Sequence, residues 1–297
     1  MSAGQKQAAK KELGSIGRRD LTKGSLDFYS PQRELEMGRE MARQIEMLVR
    51  MDEDPGLNRY VQNLTDLIVR HSDAKLPIRA RVIDSNEVNA FVLPGGFLYI
   101  TTGMILKTHS EAELAAVIAH EVAHVAARDI TRQMTKTQIW NWMSVPLLFV
   151  GGPVAYGVQQ SMMVGGPLTL MLFSRRAERA ADFHGLQYLY KAGYDPVASI
   201  AFFERVKKLE KDPQSPIARA FSSHPLTKDR VKAAERHLRR DLPARDEYVV
   251  TTSRYQQEKA KLEQILRDEM PLIPAKPKEP VLKDGAGGKH SRSEDQP

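Results

Sequence analysis

The stretch from Ser110 to Arg128 constrains the fold more than any other part of the chain. Ser110 with Glu113 three positions on forms a capping box that opens a helix. Along that helix Leu114, Val117, Ile118 and Val122 supply an apolar surface to bury, while the small Ala115, Ala116, Ala119 and Ala123 allow close packing. The fold has to be built against this helix, and the helix carries His120-Glu121-Val122-Ala123-His124 into the interior.

Residues four apart on a helix lie one above the other on the same face. His120 and His124 can therefore offer two imidazole nitrogens to one ion, at the Zn–N distance of about 2.0–2.1 Å. Glu121 falls beside the metal instead of on it, where a carboxylate can take a proton from water and pass it to a leaving amine. Chance produces such a pattern in a chain of this size with a probability on the order of one in a hundred. Satisfied surface histidines are the alternative. The chain has no cysteine, so any metal is held by His, Asp or Glu.

A third ligand is needed for a catalytic zinc site. Glu178 is the candidate, in Arg175-Arg176-Ala177-Glu178-Arg179-Ala180-Ala181-Asp182, a segment that reads as a helix from about Arg175 to Lys191. Asp182 shares its face one turn later and is placed to accept a ring N–H from a ligand histidine. Pairing of both acids with Arg175, Arg176 or Arg179 on a wet face is the competing reading.

The remaining pattern is mixed. Residues 1–30 are polar and basic with interspersed glycines, and read as a flexible leader. Two amphipathic helices follow, about Gln32–Arg50 and from Pro55 onward with Leu57, Tyr60, Val61, Leu64 and Ile68 at helical spacing. From Pro77 the period changes: Ile78, Ala80 and Val82 alternate with Arg79 and Arg81. Asn89–Leu93 and Phe97–Thr101 then flank Pro94-Gly95-Gly96, a hairpin pattern. Asp195-Pro196 starts a further helix, another spans about Thr227–Arg240, and Gln256–Met270 reads as one more, mostly exposed. Pro271–Pro297 is too poor in apolar residues to fold alone and reads as a disordered tail.

Four blocks in order resemble the zinc metallopeptidase family of the CAAX prenyl endopeptidases and the HtpX- and BepA-type bacterial envelope proteases. They are Asn89–Gly96 with Tyr99–Gly103, His120–His124, Ser174–Asp182, and Ser223-His224-Pro225 followed by Arg230. The resemblance implies a mainly α-helical α+β zincin domain over residues 31–245, whose small sheet presents an edge strand to the active-site cleft. It implies one Zn2+ per chain on His120, His124 and Glu178, with Asp182 as the outer partner and Glu121 as base and then acid. It also places the strand around Phe97 and Tyr99 at the edge that binds extended substrate, with Asn89 positioning substrate backbone or capping the strand turn. Arg230 is expected to stabilise an oxyanion or to hold Glu178 and Asp182. His224 is expected near the zinc as a displaceable ligand, or as a core histidine fixing a loop. Family members often carry a histidine where Asp129 follows Arg128, and the role of that position is open.

Residues 137–174 contain no charged side chain but several prolines and glycines. They read as an apolar lid or membrane-contacting segment in preference to two transmembrane spans, which would fill the whole interval. The net charge of +7 is unaccompanied by any nucleic-acid-binding motif, so nucleic acid is not expected as a partner and peripheral membrane contact is. Polypeptides are the expected substrates, unfolded or misassembled proteins by the resemblance, in the periplasmic part of a bacterial envelope. The start Met1–Lys11 lacks the apolar run of a secretory signal, which leaves a cytoplasmic setting open. A chaperone-like client-binding role with a latent metal site is the rival function.

Overall fold

In a computed structural model of the protein, the structure describes residues 2–148, 173–209, 224 and 228–269. The lid and tail expectations fall on most of the 137–174 segment and on the tail from 271, which lie outside the described residues. Among the described residues no helix is long and apolar enough to cross a membrane.

Ten helices and three strands make up the described chain in the order α1 (Ala3–Ser15), α2 (Pro31–Leu48), α3 (Pro55–Arg70), β1 (Arg79–Ile83), β2 (Ala90–Leu93), β3 (Phe97–Thr101), α4 (Thr102–Lys107), α5 (Glu111–Ala127), α6 (Asp129–Leu148), α7 (Arg175–Lys191), α8 (Val197–Leu209), α9 (Lys228–Asp241) and α10 (Ser253–Glu269). The architecture is α+β and mainly helical, as expected. Helix α5 is buried along its entire length. Its N-cap is Ser110, whose hydroxyl accepts from Glu113 N at 3.3 Å. The Glu113 carboxylate reaches back one residue further than a standard box, to His109 N at 2.7 Å.

Helix α7 crosses α5 at the metal motif because Gly185 permits it. A β-carbon at position 185 would stand 3.2 Å from the His120 N and Cα, tighter than packed side chains adopt without moving a backbone. Arg128 closes α5 in the left-handed conformation at φ 51°. Its guanidinium donates to Glu34 Oε2 at 2.7 Å, tying α2 to the end of the motif helix.

The sheet order is β1-β3-β2, with β3 parallel to β1 and antiparallel to β2. The β2–β3 hairpin turns at Gly95 and Gly96, both at positive φ (74° and 83°), as Pro94-Gly95-Gly96 predicts. The edge-strand expectation needs correction: Phe97–Thr101 is the central strand, and the strand bordering the site is β2. Because side chains alternate across a strand, Leu98 and Ile100 join the main core, whereas Phe97 and Tyr99 face the other side. There Tyr99 is buried in a separate cluster with Ala42 and Leu93, and its hydroxyl donates to Glu46 Oε1 at 2.8 Å. Phe97 and Tyr99 thus lie on the sheet face opposite the one that joins the main core with α5.

One further expectation changes. The leader carries α1, and Leu13 and Ile16 are buried in the main core. Arg19 locks it down, donating from Nε to Asp73 Oδ2 at 2.8 Å and from Nη1 to Gln187 Oε1 at 2.6 Å. A polar composition concealed one apolar helix face and a half-buried ion pair. Helix α10 is mostly exposed, as expected, and is anchored by the buried Tyr255, Glu258 and Leu262, with the Tyr255 hydroxyl donating to Thr108 O at 2.8 Å.

Candidate metal centre

Two helices and one further residue converge on a single buried point. His120 and His124 come from α5, Glu178 from the first turn of α7, and His224 from just before α9; all four are buried, and one ligand atom of each lies within 4.8 Å of the others. The Nε2 atoms of His120 and His124 are 3.2 Å apart. His124 Nε2 stands 3.4 Å from Glu178 Oε1, and His120 Nε2 stands 3.6 Å from Glu178 Oε2. His224 Nδ1 lies 3.4 Å from His120 Nε2 and 2.9 Å from Glu178 Oε1. A tetrahedral ion with bonds of about 2.0–2.2 Å has ligand–ligand edges of about 3.3–3.6 Å. The spacings fit a small divalent cation, and the His/Glu donor set suits zinc.

The electrostatics ask for a cation. Burial by itself would raise the Glu178 carboxyl, but hydrogen bonds from His124 and His224 hold it far below the usual carboxylate range. Burial disfavours charge on His124, yet Asp129 and Glu178 outweigh it and lift this imidazole to about 10. Burial dominates at His120, aided by the neighbouring His124, and pushes it down. A bound cation would supply the positive charge that the Glu178 and Asp129 carboxylates favour at this point.

Each motif histidine is backed by a carboxylate. His124 Nδ1 lies 2.8 Å from Asp129 Oδ2. His120 Nδ1 lies 3.1 Å from Asp182 Oδ1, but the ring nitrogen has no well-aligned hydrogen bond there, so this contact orients the ring less firmly. Asp129 is the residue that sequence reasoning left without a role. Its signal was its place one residue beyond the α5 C-cap, which turns the chain back onto His124. Phe173, not singled out from sequence, stacks on His124 with ring centroids 4.0 Å apart and planes 12° from parallel.

Arg230, in the first turn of α9, is fully committed. Nη1 meets Glu178 Oε2 at 2.6 Å, while Nη2 and Nε grip the two Asp182 oxygens, each at 2.7 Å. Nη1 also donates to His224 O at 3.1 Å. Glu178 and Asp182 therefore pair inward with Arg230, not outward with Arg175, Arg176 or Arg179. This pairing also holds Asp182 ionised: burial would raise its carboxyl, but the guanidinium holds it low.

Glu121 is buried, and its Oε2 has no hydrogen-bond partner among the described residues. Its Oε1 is 3.6 Å from His224 Nε2. A buried carboxylate oxygen without a partner is costly unless water or substrate serves it. A cavity of about 30 Å3 lies beside it, lined by Asn89, Ala90, Phe202 and Arg230 among others, which is room for a water molecule or two. Asn89 borders this cavity at the entrance to β2.

The sequence pattern of peptidase family M48 matches residues 55–238. The chain belongs to this family. The matched span runs from the start of α3 almost to the end of α9 and contains the whole cluster. Family M48 peptidases are zinc-dependent, which agrees with the donor set found here. The chain is 29% identical over 213 residues to the beta-barrel assembly-enhancing protease of Escherichia coli, covering 68% of this chain and 43% of that protein. It is 36% identical over 154 residues to the mitochondrial metalloendopeptidase OMA1 of Arabidopsis thaliana, covering 51% of this chain and 30% of that protein. The OMA1 of Schizosaccharomyces pombe is 32% identical over 180 residues, 60% of this chain and 52% of that protein. The chain thus spans about half the length of these relatives or less.

Proposed function

We propose that the protein is a zinc-dependent endopeptidase that cleaves unfolded or misassembled polypeptides, with Glu121 as the proton carrier. The observation that carries this is the buried Glu121 carboxylate, one oxygen without a partner among the described residues, beside a His120–His124–Glu178 donor set of zinc-like spacing. Bound Zn2+ would supply Lewis-acid polarisation of a carbonyl and lower the pKa of water at the site.

The chain's own groups supply the rest. Glu121 accepts a proton from the attacking water and returns it to the leaving amine. Asp129 and Asp182 fix which ring nitrogen of His124 and His120 faces the cluster. Arg230 is a positioning residue: its three nitrogens hold Glu178 and Asp182, and an oxyanion role would require it to leave them. His224 sits as a fourth donor against Glu178 and Glu121, so productive binding of substrate requires it to yield space. Strand β2, the sheet edge nearest the site, is suited to pair with an extended peptide by main-chain hydrogen bonds, which favours loose sequence selectivity. The relatives named for beta-barrel assembly support a setting in the bacterial envelope.

Glu121→Gln tests the role of the carboxylate. The variant should keep its zinc and fold and lose casein hydrolysis by at least about a hundredfold, the usual scale of general acid–base catalysis. Undiminished hydrolysis with zinc retained would instead assign proton transfer elsewhere. If the zinc-loaded wild type fails to cleave casein at all, a client-binding role with a latent site takes its place.

A further inference from the structure

A second concave surface lies away from the metal cluster, between α1, the end of α7, the start of α8 and the end of α9. It encloses about 890 Å3, within the range of sites that hold a specific ligand. Its rim carries Lys6, Lys10, Lys191, Arg239 and Arg245 against one acid, Asp195. Among the described residues the three lysines have no ion-pair partner, whereas Arg239 has a long, exposed contact to Glu235 at 3.5 Å. Arg245 lies over the Tyr190 ring at 4.0 Å. Beneath this rim the floor is apolar, formed by Leu13, Leu238, Leu242 and Pro243 with Tyr248, and Leu13 and Leu242 belong to the main core.

The groove and the metal centre share two helices. Helix α8 begins in the groove at Val197 and carries Phe202 and Phe203 to the cavity beside Glu121. Helix α9 runs the other way, from Arg230 at the cluster to Leu238 and Arg239 in the groove. At about 1.5 Å per residue the separation along α9 is about 13 Å, which about four residues of extended polypeptide span.

We propose that this groove is a second binding site for the polypeptide substrate, selecting clients that carry acidic residues interleaved with large apolar ones. The charge supplies the selection, because a cationic rim attracts acidic segments and repels basic ones. The recessed apolar floor supplies the affinity: it takes side chains inserted from a strand or turn. A flat bilayer would meet the charged rim and leave that floor unfilled. What is cleaved rests on the endopeptidase reading above; the groove is read by binding alone.

The experiment uses the full chain carrying Glu121→Gln, loaded with zinc, and two fluorescent peptides with the same Leu and Phe positions, one with Asp and Glu between them and one with Lys. Anisotropy should show tighter binding of the acidic peptide, weakened about tenfold by the charge reversal Lys191→Glu with Arg239→Glu. In the otherwise wild-type enzyme the same reversal should raise KM for the acidic peptide by a similar factor with kcat within about twofold, and leave cleavage of a short neutral peptide unchanged. Equal binding of the two peptides, or affinity indifferent to the reversal, overturns the proposal. So does a reversal that abolishes cosedimentation with phosphatidylglycerol vesicles while leaving peptide binding intact, which would assign the groove to a membrane. Loss of all hydrolysis in the wild type with selective peptide binding retained would sink the endopeptidase reading and leave the groove standing.

Discussion

Removing Asp129 probes the least anticipated part of the metal centre. Its Oδ2 is 2.8 Å from His124 Nδ1, a contact short enough for a charge-assisted hydrogen bond, worth about 1.5–3 kcal/mol. When His124 binds zinc through Nε2, that bond fixes the tautomer and increases the basicity of the ring. Asp129→Ala should therefore weaken zinc binding about 10–100-fold, equivalent to about 1.4–2.7 kcal/mol. Asp129 also begins α6, where a carboxylate near a helix N-terminus is worth about 0.3–1 kcal/mol, and its contact with His124 is made without the metal, so the metal-free protein should lose stability as well. Asp129→Asn keeps an acceptor without the charge and should fall between. Competition against a chromophoric chelator reads the affinity, and urea unfolding of the metal-free protein reads the stability. Unchanged zinc affinity in Asp129→Ala, with folding intact, would refute the claim that this carboxylate sets the His124 ligand. Asp182 is a poorer probe, because its loss also strands Arg230.

Two further outcomes test the packing around the site. Gly185→Ala places a β-carbon 3.2 Å from the His120 backbone; the shift of α7 should cost about 1–3 kcal/mol and weaken zinc binding, and wild-type values for both would show that the crossing is loose. His184, on the back of α7, is pushed down from 6.5 to about 4 by burial and then by the nearby Arg19. The unfolded chain therefore binds the proton first, and stability falls as pH drops from about 6.5 toward 4, by about 2 kcal/mol between pH 7.5 and 5. His184→Gln should remove that increment from the urea midpoints; an identical pH dependence in the two proteins would count against it.

The helices of the site were legible because their signals are local. Ser110, Ser174 and the Asp195-Pro196 pair mark helix starts, and His120, His124 and Glu178 lie on faces set by the helical period. The hairpin was legible from Pro94-Gly95-Gly96 for the same reason. Strand order was not, since a parallel β1–β3 pairing depends on where α3 returns the chain, and nothing in Phe97–Thr101 states which neighbour it takes. Asp129 escaped because its role arises only when Arg128 adopts the left-handed conformation and reverses the chain onto His124. The docking of α1 rests on Arg19 meeting Asp73 and Gln187, three residues from distant parts of the sequence, and composition averages such a contact away. Arg230 was recognised, but its choice between oxyanion and carboxylates needed the three distances that commit it.

Metal content measured together with hydrolysis tests the central claim most directly. Protein purified without chelator, or metal-free protein reconstituted, should bind one zinc per chain, cleave casein, lose the activity on chelation and regain it with added Zn2+. Well-folded protein that takes up no zinc, or that cleaves equally with zinc stripped, would contradict the assignment of His120, His124 and Glu178 as a catalytic metal centre.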